Sequence, residues 1–421
     1  MTARPKSASG FWTGPIGLLA GIAALFVLHG WVAEAYLKTV AVMAICGLAM
    51  VIVDVFFYRT INRNTVAARP FNWHRIAQKL VALALIYAAV IGLYWLLPIY
   101  ADQFYNPFKN ALILCAPFII IGAPFYIAIT DSRLAEPDDG YVDLARLIGG
   151  TLPANWEPLL ALGRGWLVKF FFLPLMFCFC NNDLIGVWSM SGFPALDTFQ
   201  LIYDRGYELF YLIDVLIAGV GYAMTFKLLD TQIKSAEPTL AGWVICIVCY
   251  QPFWDGFFAP YLRYDQDGKY WGNYFFDNPI VYPIWGSAIL ALVLIYAWAT
   301  VSFGLRFSNL THRGIITHGP YRWVKHPAYL SKNLSWWMIS MPFVAGTGDW
   351  GMAIRSSILL GAINVVYLLR AITEERHLAR DPIYREYQAF IAEHGLFAII
   401  RRRLFGSRET SIPTNAAAVD K

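Results

Sequence analysis

The sequence predicts an all-α integral membrane protein of about ten transmembrane helices, with both termini in the cytoplasm. Three observations carry this. Of 421 residues, 58% are hydrophobic and 14% charged, with a mean hydropathy of +0.49, too few charges to clothe a soluble domain of this size. Apolar runs of about 20 residues, the length that crosses a hydrocarbon core of about 30 Å, recur along most of the chain. Basic residues also gather in alternate connections.

The expected spans are 16–33, 39–58, 80–100, 110–130, 166–190, 208–228, 240–260, 281–303, 333–347 and 352–371. Arg4 and Lys6 precede the first apolar run, and Ala33-Glu34-Ala35 imitates a cleavage site. A second span follows at once, so the first is read as an uncleaved helix. Alternating ten spans from a cytoplasmic N-terminus places 27 of the 33 Lys and Arg residues on the cytoplasmic side, as the positive-inside rule requires. The net charge of +5 is thereby a topological signal, and nucleic acid is not expected as a partner. Residues 1–280 form a bundle of about seven helices, 281–405 a C-terminal membrane region, and 406–421 a tail expected to be disordered.

Polar residues within spans are costly and need partners. Asn181-Asn182-Asp183 is expected to end the fifth helix at Cys180, leaving 184–190 at the interface. His29, Asp54 and Asp214 are expected to meet partners between helices or near span ends. Pro117 and Pro124 should kink the fourth span. The six cysteines read as small hydrophobes of the spans, and Cys246-x-x-Cys249 lacks further metal ligands. No metal is expected. Residues 131–165 read as a surface loop with a short amphipathic helix. Asp265-Gln266-Asp267-Gly268 lacks the rest of a calcium loop, and the Tyr and Trp around it suit a membrane interface.

The chemistry concentrates near the C-terminus. Gly319-Pro320 and Pro327 break the chain at the membrane surface, freeing backbone groups for a polar ligand. His326 offers an imidazole, and Tyr321 and Tyr329 offer rings and hydroxyls. Glu374 and Glu375 close the last span. Arg370 precedes Glu374 by one helical turn and is expected to be its ion partner.

His318-Gly319-Pro320-Tyr321, then His326-Pro327-Ala328-Tyr329, a short span, a long span, Glu374-Glu375 and Tyr384-x-x-Tyr387 follow one another in that order. From about 295 to 405 this resembles the isoprenylcysteine carboxyl methyltransferases and related membrane phospholipid methyltransferases. Lys325 replaces the family's Arg, and Ser331 its final Gly. The resemblance implies S-adenosylmethionine as cofactor, contacted by Arg313, Gly314, Ile315, Ile316, Tyr321, His326, Pro327, Ala328, Tyr329, Glu374 and Glu375. Arg313 stands where the family more often has His. It also implies that Arg370 binds the substrate, making Arg370 and His326 the expected catalytic residues.

A carboxylate acceptor needs a cation to hold it and no general base, whereas an amine or phenol acceptor would need His326 or Glu375 as base. The expected acceptor is lipophilic, either a small molecule or a lipidated chain, and it enters from the bilayer lipids while the cofactor enters from the cytoplasm. Prenylated protein, isoprenoid acid and phospholipid headgroup all satisfy this. The membrane would be the inner membrane of a bacterium or the endoplasmic reticulum of a eukaryote. Two other functions fit the span count: an NADPH-dependent sterol-type reductase and a non-catalytic transporter or scaffold. The Asn-Gly signature and Lys-Tyr-Gly-x-x-Trp ending of the reductases are absent.

Overall fold

A computed structural model describes residues 3–28, 30–189, 198–265, 270–346 and 348–405. Fourteen α-helices make up nearly all of its regular structure among these residues. They are α1 (Thr13–Leu28), α2 (Ala35–Phe56), α3 (Trp73–Leu96), α4 (Asn106–Arg133), α5 (Gly140–Ile148), α6 (Glu157–Ser189) and α7 (Phe199–Ala223). After these come α8 (Leu240–Ile247), α9 (Trp271–Phe275), α10 (Val281–Phe303), α11 (Pro327–Ser340), α12 (Trp350–Leu378), α13 (Pro382–His394) and α14 (Leu396–Phe405). Two short strands, β1 (Ser235–Ala236) and β2 (Thr311–His312), pair antiparallel.

Seven described helices are long and apolar enough to cross a bilayer: α2, α3, α4, α6, α7, α10 and α12. The other three expected spans are shorter. Helix α1 has 16 residues. The predicted span 240–260 is not one helix, because α8 stops at Ile247 and a separate π-helical turn covers Trp254–Phe258. Pro252, which has no N–H and crowds the residue before it, lies between them. Helix α11 has 14 residues and begins six positions earlier than predicted, because Pro327 suits its first turn. It stops where Met341 takes a left-handed φ of 42° before Pro342.

The expected break at Asn181 does not occur. Helix α6 runs unbroken from Glu157 to Ser189, since buried Asn181 accepts a hydrogen bond from Thr39 of α2 at 3.1 Å. A neighbouring helix has supplied the partner that interior polar groups demand. Asp54 and Asp214 are satisfied as expected. Asp54 accepts from Thr13 and pairs with fully buried Arg306 at 3.2 Å, and Asp214 accepts from the Tyr296 and Thr300 hydroxyls. Pro117 and Pro124 lie inside a continuous α4. All six cysteines are free, and Cys46, Cys178, Cys180 and Cys246 are buried. The short helix expected within 131–165 is α5. His29, Gln266–Gly268 and the 406–421 tail lie outside the described residues.

Helix α7 occupies the middle of the packing, with every residue from Leu212 to Tyr222 buried. Aliphatic and aromatic side chains of α2, α6, α7 and α10 form the largest core around it. The end of the molecule carrying β1 and β2 gathers the N-terminal segment, the 304–326 loop and α13. Ala8 N donates to Ile315 O at 2.9 Å, Lys234 N to His312 O at 2.9 Å, and Leu396 N to Trp323 O at 2.8 Å.

Candidate functional site

The 304–326 loop is held largely by bonds between side chains and backbone groups. Arg313, 2% exposed, directs its whole guanidinium into a cage of carbonyls. It donates at 2.5–2.8 Å to Thr231 O, Gly221 O, Phe307 O, Met224 O and Leu305 O. Burial, with Arg306 nearby, lowers its pKa to about 9, so it stays charged at neutral pH. Gly314 sits at φ 111°, where a Cβ would stand 2.4 Å from that of Ala8. Residues 5–8 lie across this stretch: Thr317 Oγ1 donates to Pro5 O at 2.8 Å, and Ser7 Oγ is 2.9 Å from His318 Nδ1.

The 313–316 stretch, which the family resemblance sets beside the cofactor, packs its side chains inward, Ile315 against Tyr384 and Tyr387. Residues a few positions earlier, Asn309 and Thr311, reach the cleft described below.

Pro327 starts α11, and the helix carries Tyr329 toward the end of α12. The Tyr329 hydroxyl donates to Glu374 Oε2 at 2.8 Å. His326 stacks on Tyr329, with ring centroids 5.3 Å apart at 5°. Its Nε2 lies 3.0 Å from Glu375 Oε1, and its Nδ1 lies 3.9 Å from Glu374 Oε2. Lys325 Nζ at 2.6 Å and Gln388 Nε2 at 3.2 Å complete the surroundings of Glu375. Glu375 is therefore a joint between loop, α12 and α13. Tyr321 is held from behind, its carbonyl accepting from the Tyr387 hydroxyl at 2.7 Å, and its own hydroxyl is pushed up by burial and by Glu374. Ala328 lies in the first turn of α11.

Arg370 differs most from expectation. It makes no ion pair with Glu374 among the described residues. Its Nη2 donates to Asn309 Oδ1 at 2.6 Å and to the Tyr250 hydroxyl at 3.1 Å. The guanidinium also lies 5.0 Å from the Tyr329 ring and 5.3 Å from that of Tyr250. Asn309 is fixed in turn by the Tyr222 hydroxyl, which accepts from its backbone N and its Nδ2, both at 2.8 Å. Tyr222, Asn309 and Tyr250 thus hold one edge of the guanidinium. Its Nη1 and Nε have no hydrogen bond among the described residues.

Arg370 lines a small cleft together with Glu237, Cys246, Asn309, Tyr329 and Glu374. Of the residues the sequence singled out, the structure brings Arg370, Tyr329 and Glu374 into one cleft, with His326 and Glu375 stacked and bonded directly behind.

The sequence model of the isoprenylcysteine carboxyl methyltransferase (ICMT) family matches residues 282–380. Over this segment the chain is similar to that family. The match takes in Arg370, His326 and both glutamates, and ends just before Asp381 and the Tyr384–Tyr387 pair. No curated protein and no solved structure matches the chain. The ICMT segment supports membrane methyl transfer in general, and the reductase and transporter readings gain nothing from it. With seven apolar helices of spanning length, the chain is an integral membrane protein.

Glu237, Asn309, Tyr222 and Tyr250 escaped the sequence reading. All but Asn309 precede the ICMT segment, and none stands in a motif. Asn309 lies in a plain Ser-Asn-Leu-Thr run, and only its partners reveal its role.

Proposed function

We propose that the protein transfers the methyl group of S-adenosylmethionine to a lipophilic acceptor bearing a carboxylate, in the cleft between α8, α11 and α12. One observation carries this reading. Arg370 is a buried cation, 6% exposed, anchored along one edge by Asn309 and Tyr250 and open along the other. A guanidinium presented in this way suits a carboxylate, which its fork can bind through two parallel bonds.

The donor set also fits the cofactor, since Glu374 offers a carboxylate to a zwitterionic nucleoside. Of the sequence-named contacts, Tyr321, His326, Pro327, Ala328, Tyr329, Glu374 and Glu375 are retained, with His326 and Glu375 acting from behind. Arg313 is a structural residue, and the 314–316 side chains support the loop.

The cofactor supplies an activated methyl on a sulfonium. Arg370 holds the acceptor carboxylate and aligns one oxygen for in-line attack on that carbon. Such an attack would form the C–O bond as the C–S bond breaks with its electron pair left on sulfur, so the protein need supply no proton acceptor. Positioning and exclusion of water are what the protein contributes. His326 keeps Glu375, and through Tyr329 stacking Glu374, in place and needs no role as base.

The cytoplasmic face is the proposed location. The N-terminal segment and the 304–326 loop share one end of the molecule, in keeping with both termini and the site facing the same side. The path supports ten crossings. Ala236 is beside the loop, while Val281 starts α10 a full 23-residue helix away, about 34 Å. The chain between them therefore passes from one end of the bundle to the other, and its described residues hold no continuous spanning helix.

The test is label transfer from methyl-labelled S-adenosylmethionine into lipid-soluble product by purified protein. Arg370→Ala should lower kcat/KM for the acceptor by roughly thirtyfold or more, as expected for truncating one side of a buried pair worth about 2–5 kcal/mol. Cofactor affinity should hold. Arg370→Lys should recover little. An Arg370→Ala protein that loses cofactor affinity instead would make Arg370 a cofactor contact and remove the acceptor assignment.

A further inference from the structure

Glu237 lies in the connection between α7 and α8, outside the ICMT segment, and faces the same cleft as Arg370 and Glu374. The short sheet puts it there. Glu237 N donates to Leu310 O at 2.8 Å, continuing the β1–β2 pairing by one residue and turning the chain inward. The side chain is then fixed at its stem and at one oxygen. Gly242 leaves room for the stem, since a Cβ there would stand 2.5 Å from Glu237 Cγ. Oε1 accepts from Thr239 N at 3.0 Å and from Thr239 Oγ1 at 2.5 Å, and Thr239 caps α8.

The other oxygen is different. Oε2 has no hydrogen bond among the described residues, and the nearest basic atom is His377 Nδ1 at 3.8 Å. His377 turns its Nε2 to Ser235 Oγ, 2.9 Å away. Glu237 is only 4% exposed. A carboxylate so enclosed, with no cation at bonding distance, is costly unless something positive arrives. Glu237 and Glu374 against the single cation Arg370 leave the cleft wall with one negative charge in excess.

We propose that Glu237 is a further ligand-binding residue of this cleft, receiving the ammonium group of an amino-acid-bearing nucleoside cofactor. This rests on the cofactor reading above and adds a contact from the N-terminal bundle to a site otherwise drawn from the C-terminal segment. The bundle then does more than shape the acceptor's path: cofactor binding joins the α7–α8 connection to α12.

The experiment titrates the full-length protein in detergent with two probes. S-adenosylhomocysteine carries the ammonium and carboxylate, while 5′-methylthioadenosine keeps the adenosine and thioether and lacks both. Glu237→Gln preserves an oxygen for Thr239 and should weaken S-adenosylhomocysteine binding by about tenfold or more. Its affinity for 5′-methylthioadenosine should stay within about twofold. Equal loss for both probes, or no loss for either, overturns the proposal.

A ligand-side comparison needs no variant. The deamino analogue of S-adenosylhomocysteine should bind the unaltered protein about tenfold more weakly or worse than the parent compound, and equal binding overturns the proposal independently of folding. Unaltered protein that binds neither probe removes the cofactor reading and the proposal with it. S-adenosylhomocysteine binding that Glu237→Gln leaves intact removes only the proposal.

Discussion

Arg370 donates to Asn309 Oδ1 at 2.6 Å, while Glu374, one turn further along α12, takes its hydrogen bond from Tyr329. The two charges share a helix face and do not neutralise one another through a direct ion pair. Each is held by neutral partners, which leaves the cation free for an anion and the carboxylate free for a polar ligand.

Asn309 should accordingly be a positioning residue for Arg370. Asn309→Ala removes a hydrogen bond to a charged group, worth about 1.5–3 kcal/mol. Acceptor kcat/KM should fall about tenfold or more, with cofactor affinity little changed. Asn309→Asp should be worse, because its carboxylate would occupy the guanidinium that the acceptor needs. Steady-state kinetics on both variants checks this, and an active Asn309→Asp enzyme would count against it.

Arg313 should matter for folding and not for ligand contact. Removing its side chain leaves five buried carbonyls without their donor, a loss on the order of 3–5 kcal/mol. Arg313→Ala should melt well below the unaltered protein or fail to accumulate in membranes. A stable Arg313→Ala protein that merely bound cofactor poorly would restore the role that motif order suggested.

Acid should destabilise the loop through its histidines. Burial, with Arg4 nearby, lowers the His318 pKa to about 4, and burial lowers that of His312 to about 4 despite Asp381 Oδ2 at 3.0 Å. Unfolded histidine titrates near 6.5. Both folded values are depressed, so their stabilisation is complete above pH 6.5 and is lost as pH falls toward 4. Each contributes at most on the order of 3 kcal/mol. Melting temperature measured from pH 7.5 to 5 should decline, and less steeply in His318→Gln. Identical slopes would contradict this.

Membrane orientation has its own readout. A reporter fused after Arg403 should remain cytoplasmic. An exported reporter would separate the C-terminus from the side where 27 of the 33 Lys and Arg residues were placed.

The legible parts of this chain were those with local signals. Apolar length gave the seven long helices, and motif order found Tyr329, Arg370 and Glu374. Periodicity could not show that Asn181 would be answered by Thr39 across the α2–α6 contact, so α6 was cut short in the sequence reading. Helical spacing suggested pairing Arg370 with Glu374, because i and i+4 residues share a face. The Tyr250 and Asn309 partners come from 120 and 61 positions away in sequence and leave no local trace. Glu237 and the carbonyl cage around Arg313 leave no local trace for the same reason: both surroundings are assembled only by β1–β2 pairing and the packing of the 304–326 loop against α7.

The cleft beside Arg370 should bind a methyl-donor nucleoside. The most direct measurement is equilibrium binding of S-adenosylhomocysteine and of NADPH to the purified full-length protein, side by side, with Glu374→Ala as control. Saturable binding of S-adenosylhomocysteine, weakened by Glu374→Ala, with no NADPH binding, is the predicted result. Binding of NADPH without S-adenosylhomocysteine would contradict it.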